Sequence, residues 1–409
     1  MKAKLLPLII SLLIAFTACK KESTTPIHNP KTLNLPVEAN EIISKSNNFG
    51  IDLFKKTASV EEGNIMLSPL SASAALTMLL NGCSSSTYNQ IQQMLGFEEM
   101  NTTDINETYK SLVDQLLNAD PDVKLAIANA IWYRQGFDVK PPFLNTMQND
   151  FSAHIEGLDF SQQSALTTMN KWASDNTFGK IPKVLDEISP DAVMFLMNAL
   201  YFKGTWTYQF DKSKTYSENF YKEDNSTVSV SMMHAKFKAN VYTNANYKAI
   251  ELNYGRTNFS MIVIVPNETL ADLFNNFSNE DWNNLTTSFN SNISTTQWDI
   301  SFPKFQFSYE KVLNDQLKSM GMVDAFDSDL ADLSGIFDAK LYVNFVKQNT
   351  FIDVNEEGTE AAAVTTIGVN TTSAGDSNEF IVNKPFAFAI RERTTNTILF
   401  IGKVVNPLD

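Results

Sequence analysis

Acid–base and nucleophilic chemistry have few residues to work with in this chain. It holds three histidines, His28, His154 and His234, and two cysteines, Cys19 and Cys83. A zinc site or a Ser-His-Asp relay would have to be built on His154 or His234. Neither stands in a nucleophile or metal-binding motif, so each reads as a structural histidine. There is no Gly-rich phosphate cradle, no His-Glu-x-x-His and no Cys-x-x-Cys. Adjacent acids such as Glu356-Glu357 point to opposite sides of an extended chain, which is poor geometry for an acid and a base. No catalytic residue, no metal and no cofactor is expected. The formal charge is −14, from 46 acidic against 32 basic residues, and no Lys/Arg block stands out. Nucleic acid therefore has no electrostatic footprint to bind.

The unusual chemistry lies in the backbone of one stretch, Leu341 to Pro385. Leu341-Tyr342-Val343-Asn344-Phe345-Val346 and Thr350-Phe351-Ile352-Asp353-Val354 alternate and are β-branched or aromatic, so they read as one long strand. Asn355 to Thr366 follows, small-sided and almost free of bulk. Its Glu-Ala-Ala-Ala run favours helix while Val364-Thr365-Thr366-Ile367 favours strand, so its local preference is undecided. Read with a period of two, one face carries Thr359, Ala361, Ala363, Thr365, Ile367 and Val369 and no charge. The other face carries Glu360, Ala362, Val364, Thr366 and Gly368, and its one charge can stay in water. Such a strip could enter a sheet as a new strand, uncharged side inward and backbone paired on both edges.

These residues resemble the serpin family of serine protease inhibitors. Glu356-Glu357-Gly358-Thr359-Glu360-Ala361-Ala362-Ala363 is similar to the hinge of an inhibitory serpin's reactive loop, and Phe380-Ile381-Val382-Asn383-Lys384-Pro385-Phe386 to the segment that closes it. The resemblance runs from about Leu35 to the C-terminus. It implies an α+β fold: a serpin-like single domain with a large central β-sheet, surrounding helices, further sheets and an exposed reactive-centre loop at about residues 356–380.

At the other end, Lys2 and Lys4 precede an apolar run from Leu5 to Phe16 and then Thr17-Ala18-Cys19. The run is too short for a membrane span. It resembles a bacterial lipoprotein signal over residues 1–18, cut so that Cys19 carries lipid; an ordinary secretory signal is the alternative. Residues 19–35, rich in Thr, Pro and Asn, read as a flexible tether, and 36–409 as the domain. Outer membrane or cell surface is the expected location. With Cys19 lipidated, Cys83 is alone and no internal disulfide is expected.

The elements that must position the hinge follow in order. Val37 to Phe54 reads as an amphipathic helix. Asn64-Ile65-Met66-Leu67 reads as a short buried strand, and Ser68-Pro69 as the start of a helix: Ser at the N-cap, Pro at the first position. Helices are also read at Ile105–Leu117 and Pro142–Phe151, and helical patterns at Leu270–Phe274 and Tyr309–Met320. Ala192 to Phe202 is a continuous apolar run interrupted by Asn198, so it reads as a buried central strand whose amide needs partners. The resemblance implies a hydrogen-bonded cluster of Ser71 and Asn198 where the central strands part. Gln348 stands there in the place many serpins give a histidine. The resemblance also places Trp206 at the sheet's top, where insertion begins, and Lys304 opposite Glu356.

What the resemblance implies is suicide inhibition. A protease cuts the loop, and the freed hinge inserts into the main sheet and carries the acylated enzyme with it. Family spacing from Glu356 puts the bait bond at Thr372–Ser373; spacing from Asn383 favours Ala374–Gly375. No Lys or Arg lies between Thr359 and Asn383, so trypsin-like enzymes lack their cation. The small residues near the bond suit elastase-like or subtilisin-like serine proteases, and papain-like cysteine proteases as a further class. A monomer is expected. A non-inhibitory serpin-fold binding protein is the alternative.

Overall fold

The apolar run around Asn198 does become a strand, and it divides the molecule. In a computed structural model describing residues 29–291, 294–360 and 378–409, it spans Met194–Thr205 in a six-stranded sheet. The strand order across this main sheet is Phe305–Val312, Lys347–Asn355, Gly358–Thr359, Met194–Thr205, Val123–Arg134 and His154–Leu158. Its pairs are antiparallel except the last, which is parallel. A second sheet of six strands runs Ile65–Leu67, Ile398–Val404, Phe386–Glu392, Phe259–Pro266, Tyr247–Tyr254 and Asn240–Thr243. A third, of four, runs Asn378–Ile381, Gln297–Pro303, Thr227–Lys238 and Thr215–Tyr221. With helices packed about these sheets, the fold is α+β.

The helix Pro69–Leu80 carries no charge on any side, and every residue but Ala75 is buried. It can be so because it packs between the main sheet and the second sheet, touching Met194–Thr205 and Ile398–Val404. Ser68 caps it, its side chain accepting from Ser71 N, with Pro69 in the first turn. The helix Gln163–Asn176 lies on the opposite, outer face of the main sheet. It buries Ala165, Leu166, Met169 and Ala173, with Trp172 edge-on to Trp132 at 6.2 Å.

Several sequence expectations need correction. Leu341–Val346 is not strand: the strand is Lys347–Asn355 alone. Across from those six residues, Met194–Met197 is half-buried and pairs only with Ala130–Tyr133 on its far edge, so among the described residues nothing fills the place between the two segments that a ladder requires. Tyr309–Met320 is not one helix. Phe305–Val312 pairs as a strand, and only Asn314–Ser319 is helical. The helices Ser85–Leu95 and Asn279–Ser291 and the edge strand Thr215–Tyr221 were not anticipated. Part of the expected tether, from residue 29 on, lies against the body instead. Leu33 is buried, Asn258 exchanges two hydrogen bonds with the backbone of Lys31, and Gln115 does the same for Asn34.

Candidate functional site

The main sheet is closed at one end and open at the other, and the hinge sits at the transition. The chain leaves Lys347–Asn355, turns at Glu356-Glu357 and returns as Gly358–Thr359 between two strands. Thr359 pairs with Val354 on one side and Gly204 on the other. The approach is close enough that a Cβ on Gly358 would meet Gly204 O at 2.0 Å, so only glycine fits. Below Thr359 no strand lies between Met194–Thr205 and Lys347–Asn355 among the described residues. A cavity of about 300 Å³ opens there, lined by Ser71, Leu185, Phe195, Asn198, Phe345 and Gln348 among others.

The turn is held by side chains from five separate places along the chain. Glu356 meets Lys304 at 2.9 Å and accepts from Thr215 Oγ1 at 2.8 Å. Burial alone would raise the Glu356 carboxyl, but Lys304, the backbone and Thr215 outweigh it and hold it below the usual carboxylate range. Lys304 is 39% exposed, so this pair contributes at most ~1 kcal/mol. Glu357 pairs with Lys212 at 2.5 Å. Trp206 donates from Nε1 to Asn355 O (2.9 Å) and from its backbone N to Glu357 O (2.8 Å), and its ring stacks on Tyr254 at 4.4 Å. The Tyr254 hydroxyl, pushed up by burial and so neutral, lies 2.6 Å from Thr359 Oγ1. Thr359 is 3% exposed and faces this inner side.

Glu360 is drawn toward the overlying helix. It does not stay in water: its side chain is 12% exposed, accepts from Tyr201 OH at 3.1 Å and pairs with Lys180 at 3.2 Å. Ordering against the exit turn of the overlying helix removes it from solvent.

Further down, a chain of hydrogen bonds runs beneath the cavity from strand to strand. Ser71 Oγ donates to Asn198 Oδ1, Asn198 Nδ2 to Asn129 Oδ1 (2.6 Å), and Asn129 Nδ2 to Phe151 O (2.7 Å). Gln348 touches neither Ser71 nor Asn198 by hydrogen bond. It grips the backbone of Ser68 instead, Nε2 donating to Ser68 O (2.9 Å) and Oε1 accepting from Ser68 N (3.1 Å). Ser68 Oγ in turn accepts from Ser71 N, which links the two sides. The amide thus serves as both donor and acceptor, which a neutral imidazole could also do only by using its two nitrogens. Asn129 was missed by sequence reasoning. Its signal was the same as that of Asn198, an amide within an apolar strand, and the two stand opposite each other in register.

The histidines make local contacts. His154 lies 3.0 Å from Glu156 and packs on Trp132. His234 joins a chain that resembles a relay: Ser301 Oγ is 3.1 Å from Nδ1, and Glu218 Oε1 is 3.3 Å from Nε2. Ser301 sits mid-strand with ladders on both sides, and Tyr216 covers the imidazole face at 4.3 Å. Neighbouring amides are spent on the sheet rather than aimed at a developing oxyanion, so the chain is structural. Cys83 is buried and free, its thiol pushed up by burial. Ala361, Ala362, Ala363, both candidate bait bonds (Thr372–Ser373 and Ala374–Gly375), His28 and Cys19 lie outside the described residues.

Comparison with known proteins bears on this arrangement. The model of one protein family, described as Serpin (serine protease inhibitor), matches residues 44–407. A serpin-like protein of Methanosarcina mazei is 32% identical, the match covering 99% of this chain and 98% of that protein. The native state of the thermophilic serpin tengpin superposes with a TM-score of 0.83 at 29% identity, covering 93% of this chain and 97% of the other. Tengpin in its latent state gives 0.77 at 28% identity, covering 91% and 99%. A thyroxine-binding globulin complex with thyroxine gives 0.81 at 28% identity, covering 90% and 100%.

Proposed function

The chain belongs to the serpin family of serine protease inhibitors, and on that premise we propose that it is itself a suicide-substrate inhibitor of serine proteases. The observation that carries this reading is a seam filled only at its top: Gly358–Thr359 paired on both edges, with an open cavity continuing the same line.

The register defines what insertion requires. Each residue beyond Thr359 steps one place down both flanking strands. Six steps on, residue 365 falls between Gln348 and Asn198, at the hydrogen-bonded cluster, on the inward face that Thr359 already uses. The inward positions 361, 363, 365, 367 and 369 are Ala, Ala, Thr, Ile and Val, so no charge is buried. Residues beyond 366 pass the end of Lys347–Asn355 and meet Leu341–Val346, which are strand-forming by sequence and irregular here. Insertion supplies the partner they lack. About 15 residues at ~3.3 Å each move the cut end roughly 50 Å, comparable to a small protease's diameter.

The chemistry belongs to the target. Its serine Oγ attacks the bait carbonyl, the peptide C–N bond breaks, and the new amine leaves with a proton, giving an acyl ester. The inhibitor's part is mechanical: insertion outruns hydrolysis of that ester. Thr372–Ser373 is the favoured bond, with Ala374–Gly375 as the alternative. Targets are elastase-like or subtilisin-like, with papain-like cysteine proteases as a further class. The protein works as a lipid-anchored monomer, tethered through Cys19 at the outer membrane or cell surface.

The fold alone does not separate inhibitors from binding proteins, since thyroxine-binding globulin shares it. Incubation with an elastase and with subtilisin does. An SDS-stable adduct of one chain with one protease is expected, with a released C-terminal peptide whose mass starts at Ser373 or Gly375. Complete loop cleavage without any adduct would instead support a non-inhibitory binding protein.

A further inference from the structure

We propose that Lys180 is a positioning residue that straps the open seam from outside, and that its pairing with Glu360 slows the filling of the seam. This rests on the insertion reading above and adds a residue that controls its rate.

Lys180 ends the turn that closes the helix Gln163–Asn176. That turn is fixed: Gly179 takes φ +79° and donates to Ser174 O at 2.8 Å, and Ile181 N donates to Thr177 Oγ1 at 3.0 Å. Phe178 packs on Tyr201 with ring centroids 4.6 Å apart, and Lys124 lies over the same Phe178 ring at 3.3 Å. From this anchored turn the Lys180 ammonium reaches across the seam. It lies 4.7 Å from the Phe351 ring on one flanking strand and 3.2 Å from Glu360 Oε1, the oxygen that Tyr201 OH on the other strand also contacts. Phe351 and Tyr201 are the residues that flank the third place below Thr359 in the ladder. The ammonium therefore bridges both walls over the first places an inserting strand must take.

Glu360 itself is held in a conformation that insertion must undo. Its φ is +54°, left-handed and unfavourable for a residue with a Cβ, whereas an antiparallel strand needs a φ near roughly −140°. The contacts with Lys180 and Tyr201 offset that strain. When Glu360 extends, the conformation that now aims its carboxylate at both partners is lost, so the pair stabilises the state before insertion more than the state after it. The sequence showed no sign of this, because Lys180 and Glu360 lie far apart along the chain.

The test follows the rate at which uncleaved protein, held warm, gains resistance to a urea concentration that unfolds fresh protein. Lys180→Met keeps the aliphatic stem over Phe351 and removes the charge; Glu360→Gln keeps the shape. Each is expected to convert roughly three- to fivefold faster, the scale of a half-buried ion pair. The double variant should be no faster than either single one, and Lys180→Arg should restore the slow rate. Unchanged or slower conversion in the single variants, or two effects that simply multiply, would overturn the proposal. Adduct formation by the unaltered chain, measured alongside, separates this from failure of the inhibitor reading.

Discussion

A Thr359→Arg chain is expected to be cut in its loop by an elastase and to release the enzyme, with no SDS-stable adduct. Thr359 is already seated in the sheet beside Gly358, 3% exposed, its hydroxyl 2.6 Å from Tyr254 OH. Arginine there would push a guanidinium into the space beneath the stacked Trp206 and Tyr254 rings. Burying an unpaired cation costs several kcal/mol, roughly, far more than two residues of strand pairing return. The hinge would detach, and nothing below it could enter in register. The loop remains a substrate, because cleavage needs only exposure. Thr359→Val is the control: it keeps the shape and loses one hydrogen bond, about 1 kcal/mol, so it should still trap protease. Normal trapping by the arginine variant would remove the hinge from the mechanism.

The largest loss of stability is expected from Glu251, far from the seam. Glu251 and Arg391 are both fully buried, 2.6 Å apart, on the two strands that flank Phe259–Pro266 in the second sheet, and Arg393 reaches the same oxygen at 3.1 Å. Burial alone would raise the Glu251 carboxyl, but the two arginines and Ser260 hold it below the usual range, so it is charged. Glu251→Gln keeps the volume and leaves two guanidiniums facing a neutral amide. A loss of about 3–5 kcal/mol is expected, read as a lower urea midpoint. Replacing the buried pair together, Glu251→Leu with Arg391→Met, should cost less than the single change, because no buried charge of that pair is left alone. If Glu251→Gln unfolds at the same urea concentration as the parent, these arginines are not paired as described.

What could be read from the sequence was mostly what local pattern and composition encode. The Ser68-Pro69 helix start, the strand around Asn198 and the uncharged alternate positions after Thr359 each depend on neighbours a few residues away. The misreadings share a physical cause, which is that the missing information lay across the fold. Leu341–Val346 has strand-forming side chains, but a strand also needs a partner, and among the described residues none lies between it and Met194–Met197. Asn129 carried the same signal as Asn198 and became meaningful only through their register. Glu360 reads as a solvent-facing charge until Lys180 and Tyr201 are brought beside it. Residues from 29 to 35 look like linker because their composition is polar, yet Asn258 and Gln115 hold them by the backbone, which composition cannot reveal.

The measurement that bears most directly on the seam is the melting temperature of the chain after elastase has nicked its loop, compared with intact chain. Filling the cavity with a strand paired on both edges should raise the midpoint by at least ~20 °C, on the order of 10 kcal/mol at roughly 2 °C per kcal/mol for a chain this long. The segment after Thr359 should also become resistant to further digestion. An unchanged midpoint, with that segment still digestible after the cut, would contradict insertion.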